Sequence, residues 1–151
     1  MSDSTDTFIL LSVMGTTYAL RSDQVQHMEM VEQVTRVPNA APFVDGVVFS
    51  RGVVVPALNL RARFGFERAP NGVSSRLIVV HHSGRTVGLV VDAAREFASI
   101  DVASIHPPAA ALTGLSGRYL EGVANLGDRL VLVLNLEAIL EFSDPVLEQH
   151  A

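Results

Sequence analysis

The sequence contains no cysteine. That excludes a disulfide framework, a thiolate nucleophile and a cysteine-based zinc site, and it fits a reducing compartment such as the cytosol. It also lacks any run of basic residues: eleven Lys and Arg stand scattered against sixteen Asp and Glu, for a formal net charge of -5. A surface that tracks nucleic-acid phosphates needs clustered cations, so nucleic acid is a poor partner. No apolar run is long enough to span a bilayer, because the stretches around Val53 and Val87 are soon broken by Gly, Pro, Asn or Asp. Met1 to Asp6 lacks the positive and apolar regions of a secretion signal. Gly-x-Ser-x-Gly, Walker-type and dinucleotide-binding patterns are all missing. What remains is 151 residues with 48% apolar content, enough to bury the core of one ordinary domain.

Short runs of Val, Leu and Ile, punctuated by Gly, Asn, Asp and Pro, read as strands and turns. Phe8 to Met14, Gly15-Thr16 and Thr17 to Arg21 form one expected hairpin. Leu77 to His81, Ser83-Gly84-Arg85 and Thr86 to Val91 form another. A shift of 69 residues carries Gly15 onto Gly84, Leu20 onto Leu89 and Asp23 onto Asp92. A shift of 76 carries Gly46-Val47 onto Gly122-Val123 and Leu58-Asn59-Leu60 onto Leu134-Asn135-Leu136. The chain is therefore an internal repeat whose unit holds about five short strands, enough to curl into a small barrel that hides its own edges. Glu67 to Ser75 marks the boundary between repeats, and His106 to Gly117, rich in Pro, Ala and Gly, reads as a long, mobile connection. Helix is confined to short pieces at Leu60 to Phe64 and Leu136 to Phe142.

The polar residues do not assemble into a catalytic set. His81 and His82 are adjacent on a strand and so face opposite ways, and His27, His106 and His150 are scattered, whereas zinc wants three or four converging ligands. Asp23 and Asp92, equivalent in the repeat, read as turn caps rather than as an acid and a base, and Asn59 and Asn135 likewise. Met14 reads as core filler, while Met28 and Met30 could belong to the core or to an adaptable surface. One segment stands out, Gly46 to Arg61, in which two apolar strands are joined by Ser50-Arg51-Gly52 with the arginine at the tip. The second repeat has Gly127 at the position of Arg51, so the barrel itself does not require an arginine there.

An ordered series of motifs resembles the CheW family of chemotaxis coupling proteins over roughly Phe8 to Phe142. The series runs through Tyr18-Ala19-Leu20, Val25-Gln26-His27-Met28, Val37-Pro38, Pro42-Phe43, Gly46 to Pro56, and Asn59-Leu60-Arg61. It continues with Val87 to Asp92, His106-Pro107-Pro108, Tyr119 to Gly122, and Gly127 to Leu136. The resemblance implies an all-β fold of two small five-stranded SH3-like barrels, related by a pseudo-twofold repeat, with short helices. It implies a single domain over 7–142, with subdomain 1 at about 17–66 and subdomain 2 at about 76–135, terminal segments crossing over, and tails at 1–6 and 143–151. It further implies a cytoplasmic, cofactor-free, non-catalytic adaptor. One barrel face would bind the regulatory domain of the histidine kinase CheA. The groove between barrels would receive the tip of a methyl-accepting chemotaxis receptor. By resemblance, Val25, Met28, Val48 and Val90 belong to the receptor groove. Arg51, framed by Gly46 and Gly52, matches the family's most characteristic polar position. Val53 and Val55 flank it and could belong to the core instead, since alternation puts one strand face inward. Three departures stand out: His27 replaces a usual acid, Phe49-Ser50 replaces a usual Asn-Leu, and Asn59 replaces a frequent Asp. They admit a divergent paralogue that serves another chemosensory or motility system or titrates a single partner.

Overall fold

In a strand covered on both faces, alternate side chains enter two different cores, and the sequence reads as one continuous apolar run. The Phe8-Ile9-Leu10-Leu11 segment is such a run. In the computed structural model, which describes residues 5–107 and 116–142, Phe8 and Leu10 point into one apolar cluster while Leu11 and Val13 point into another. The segment lies in β1 (Thr5–Val13), which is followed by β2 (Thr16–Arg21), β3 (Val25–Met30), β4 (Val44–Ser50) and β5 (Val53–Asn59). Helix α1 (Leu60–Arg63) leads to β6 (Arg76–His82), β7 (Arg85–Val91) and β8 (Ala93–Asp101). The chain then forms β9 (Leu120–Leu126), β10 (Arg129–Leu134) and α2 (Leu136–Ile139).

The protein is all-β with two five-stranded sheets, in the orders β8-β1-β2-β10-β9 and β3-β6-β7-β5-β4. Neither sheet is one continuous stretch of chain. Hairpin β1–β2 joins three strands of the second half, and hairpin β6–β7 joins three strands of the first. Each hairpin makes one parallel join, Tyr18 beside Leu132 in one sheet and Leu89 beside Leu58 in the other, and one antiparallel join, β1 to β8 and β6 to β3. Each sheet then curls until the chain leaving one edge bonds the opposite edge. Thr35 and Val47 exchange two backbone hydrogen bonds at 2.8 Å, and His106 and Val123 exchange two at 2.9 and 2.8 Å. The approach is close because the strand it meets carries glycine. A Cβ on Gly46 would lie 2.1 Å from the Thr35 oxygen, and one on Gly122 would lie 2.5 Å from the His106 oxygen.

The hairpin turns sit one residue earlier than expected at the first site. Val13 pairs with Thr16, so the turn is Met14-Gly15 and Thr16 already belongs to β2. A type I′ two-residue turn needs positive φ at both central residues, which a β-branched Thr resists. Met14 takes it at 54° with its side chain 48% exposed, so Met14 is a hairpin tip and not core filler. Of the expected connection from His106 to Gly117, residues 108–115 lie outside the described residues.

The cluster that Leu11 and Val13 enter lies between the sheets, with Leu11, Tyr18 and Leu20 from one side and Ile78, Val80 and Leu89 from the other. The two short helices meet there. Asn59 and Asn135 cap them in the same way, each side-chain oxygen accepting an N–H at 3.1 Å, from Ala62 and Ala138 respectively. Arg63 of α1 reaches across to the end of α2, donating to the Ile139 carbonyl at 2.8 Å. Its guanidinium lies 4.4, 4.8 and 4.9 Å from the ring centres of Phe43, Tyr119 and Phe142.

Candidate functional site

Alternation along β4 turns Val48 and Ser50 inward and Phe49 outward, and the register sets Phe49 opposite Val54. Phe49 is 75% exposed, Val53 55% and Val54 42%. This is an unusual concentration of apolar surface on one hairpin end. Arg51 stands at its tip with φ 48°, followed by Gly52 at 83°. A non-glycine residue in the left-handed region costs about 1–2 kcal/mol, and the equivalent position in the other repeat is Gly127. Val55, two residues along the same strand face and further from the tip, is buried, whereas Val53 is exposed at the hairpin end.

Beneath the tip, the two edge strands of the second sheet meet through side chains. His27 and Glu29 lie on one face of β3, and Ser50 reaches them from β4. The Ser50 hydroxyl donates to Glu29 Oε2 at 2.5 Å, and His27 Nε2 lies 2.8 Å from the same oxygen and 3.0 Å from Ser50 Oγ. Both of these are acceptors toward the ring, so Nε2 is a ring nitrogen that carries a proton. Burial opposes ionisation of Glu29. The hydrogen bonds from Ser50 and His27, with the nearby charges of His27 and Arg51, outweigh it and hold the carboxyl below its ordinary value. A carboxylate is thus supplied to the Arg51 end of the sheet by Glu29, two residues beyond the position where the resemblance led one to look for it.

A serine, a histidine and a glutamate in contact invite comparison with a nucleophilic triad, and the geometry differs from one. In a triad the histidine uses one ring nitrogen for the hydroxyl and the other for the carboxylate. Here both fall on Nε2, the hydroxyl proton goes to Glu29, and Ser50 is only 3% exposed. The arrangement is a brace between strands. Among the described residues no three His, Asp or Glu side chains converge as metal ligands.

The expected binding residues divide into three groups. Arg51 and Gly52 form the displayed turn, and Gly46 is the close-approach glycine that lets Thr35 bond β4. Val25 and Met28 are half-buried at the margin of the cluster between the sheets, where a groove would run. Val48 and Val90, expected on that groove, instead turn into the interior of the second sheet at 7% and 5% exposure. At Val90, strand alternation sends the neighbours Leu89 and Val91, not Val90 itself, into the cluster between the sheets. Met30 is exposed. Asp92 does bond a turn, but a distant one, accepting the Met14 N–H at 2.8 Å, whereas Asp23, at the equivalent place in the repeat, stands exposed in a 3₁₀ turn. Sequence reasoning missed Glu29 and Phe49. The available signal for Glu29 was its i+2 spacing from His27, which puts both on one strand face.

Two curled sheets welded by a common core, with an arginine-tipped apolar hairpin displayed at one end, suit a protein-interaction scaffold. The CheW-like domain family matches residues 7–143. The chain is 29% identical to the chemotaxis protein CheW of Klebsiella aerogenes over 140 residues, covering 93% of this chain and 84% of that one. It is 29% identical to the CheW of Thermotoga maritima, covering 93% of each. The crystal structure of the scaffolding protein TtCheW from Thermoanaerobacter tengcongensis superposes with a TM-score of 0.83 at 28% identity, covering 91% of this chain and 94% of that one. The chain belongs to the CheW-like family, and its role is that of a chemotaxis coupling adaptor. Among the described residues no helix is long and apolar enough to cross a membrane.

Proposed function

We propose that the protein couples methyl-accepting chemotaxis receptors to the histidine kinase CheA in the cytoplasm, without catalysing a reaction itself. The observation that carries this reading is the β4–β5 tip, where Arg51 is held in a left-handed turn between exposed Phe49, Val53 and Val54. Arginine and aromatic side chains dominate the energetics of protein interfaces, because they combine large buried area with directed hydrogen bonds. In this reading the kinase regulatory domain is the partner of this surface. The half-buried Val25 and Met28 margin suits the apolar face of a receptor helix. Coupling is then an equilibrium effect: receptor states that bind the adaptor–kinase assembly with different affinity bias the kinase.

A second reading, a divergent paralogue that binds one partner and titrates it, draws support from the polar brace of His27, Glu29 and Ser50. Calorimetric titration against a kinase regulatory domain and, separately, a receptor cytoplasmic fragment decides between them. The coupling function predicts binding to both, with Arg51→Ala weakening one. Binding to a single partner favours the paralogue, and binding to neither removes both readings.

A further inference from the structure

The two sheets close the same seam by different chemistry. A shift of 69 residues carries Glu29 onto Ala98, and a shift of 76 carries Ser50 onto Leu126. Ala98 and Leu126 pack against the apolar interior of their own sheet. Glu29, His27 and Ser50 instead bond to one another across the two edges. Burying polar groups gains nothing unless each is satisfied, so an apolar pair is the simpler way to close the seam, and the fold accepts it. The shift of 76 that carries Ser50 onto Leu126 also carries Arg51 onto Gly127. The Glu29–Ser50 bond and the displayed arginine therefore occur together in one repeat and are both replaced in the other, where Glu96, at the place of His27, pairs instead with Arg129 at 3.4 Å.

Ser50 is the residue directly before Arg51, and its hydroxyl is pinned to Glu29 on the opposite edge strand. The turn consequently cannot hinge away from β3 without breaking two hydrogen bonds at a nearly buried hydroxyl. We propose that Glu29, acting through Ser50 and with His27, is the positioning residue for Arg51 and thereby determines which partner the β4–β5 tip accepts. The partner chemistry that fits is a carboxylate facing Arg51 with an N–H donor toward Glu29, whose side chain is one-third exposed at 33%. This rests on the binding function proposed for the same tip.

The test transplants the apolar seam of the first sheet into the second as the double variant Glu29→Ala/Ser50→Leu, with Glu29→Gln as the conservative change. Three quantities are read: the thermal midpoint, NMR amide order parameters of residues 49–53 in the free protein, and affinity for the kinase regulatory domain. The transplant is expected to keep its midpoint while order parameters at the tip fall from about 0.85 to below about 0.6. Affinity should drop about tenfold, and a further Arg51→Ala should then cost nothing more. Glu29→Gln, whose amide oxygen accepts the same bonds, should restore the order. A tip that stays rigid in the transplant, or an Arg51→Ala effect of equal size in both backgrounds, overturns the proposal. If the transplant does not fold, Ser50→Ala carries the same order-parameter comparison. If the wild-type protein binds no kinase domain, the coupling function fails, and the tip order still decides whether Glu29 positions Arg51.

Discussion

Arg61 grips Asp92 with both arms of its guanidinium, Nε to Oδ1 at 2.8 Å and Nη2 to Oδ2 at 2.7 Å, while Oδ2 also accepts the Met14 N–H at 2.8 Å. Arg61 belongs to α1 and Asp92 follows β7, but Met14 is the tip of the β1–β2 hairpin in the other sheet. One carboxylate thus ties the two sheets together at a point away from the shared core. Bidentate geometry makes such a pair stronger than an ordinary surface ion pair, although partial exposure screens it. Asp92→Asn should lower unfolding free energy by about 1–2 kcal/mol, measured by urea denaturation. Arg61→Lys should lose part of the same amount, because an ammonium cannot match the fork.

Arg63 does at the helices what Asp92 does at the hairpin. Its half-buried guanidinium sits among Phe43, Tyr119 and Phe142 and donates to carbonyls at the end of α2. Burial pulls its pKa below the ordinary arginine value. Arg63→Ala should cost roughly 2–4 kcal/mol in the same denaturation assay, and Arg63→Lys should recover less than half of it.

Two carboxyls give the protein an acid limb. Burial opposes ionisation of Glu29 and Asp92. The bonds from Ser50 and His27 at the first, and from Arg61 and the Met14 N–H at the second, more than offset it and lower both pKa values. A lowered folded pKa contributes stability that is complete above the unfolded value and is lost as pH falls through the folded one. Unfolding free energy should therefore be level near neutrality and decline below about pH 4. Glu29→Gln should flatten part of that decline in a pH series of chemical denaturation. An unchanged slope would show that Glu29 is not linked to folding.

The two glycines framing Arg51 should behave differently. At Gly46, φ is 145° and an added Cβ would strike the Thr35 backbone oxygen at 2.1 Å, so Gly46→Ala breaks the bridge that closes the sheet. A loss of more than about 3 kcal/mol is expected, or failure to fold. Gly52 at φ 83° meets open space, so Gly52→Ala carries backbone strain alone, about 1 kcal/mol. Thermal unfolding of the two variants separates a steric role from a conformational one.

The repeat, the all-β class and the short helices are legible in the sequence because local chemistry dictates them. Gly15, Gly84 and Gly127 occur where two-residue turns need positive φ, and Asn59 and Asn135 occur where helices need caps. Sheet membership is not legible in the same way. Hairpins β1–β2 and β6–β7 each join the strands of the other half, and a hairpin's own residues do not encode which sheet it enters. Val48 and Val90 illustrate the limit within a strand. Where both faces are apolar, hydrophobicity no longer says which face turns inward, and only register does. Glu29 stayed hidden because its partner Ser50 is 21 residues away and looks like an ordinary turn residue.

The most direct measurement of the coupling function is kinase autophosphorylation in a reconstituted mixture of kinase, receptor fragment and this protein. Kinase rate should depend on the receptor only when the protein is present, and that dependence should be reduced when Arg51→Ala replaces it. A kinase rate indifferent to the protein at saturating concentration, with the receptor present, would contradict the coupling function.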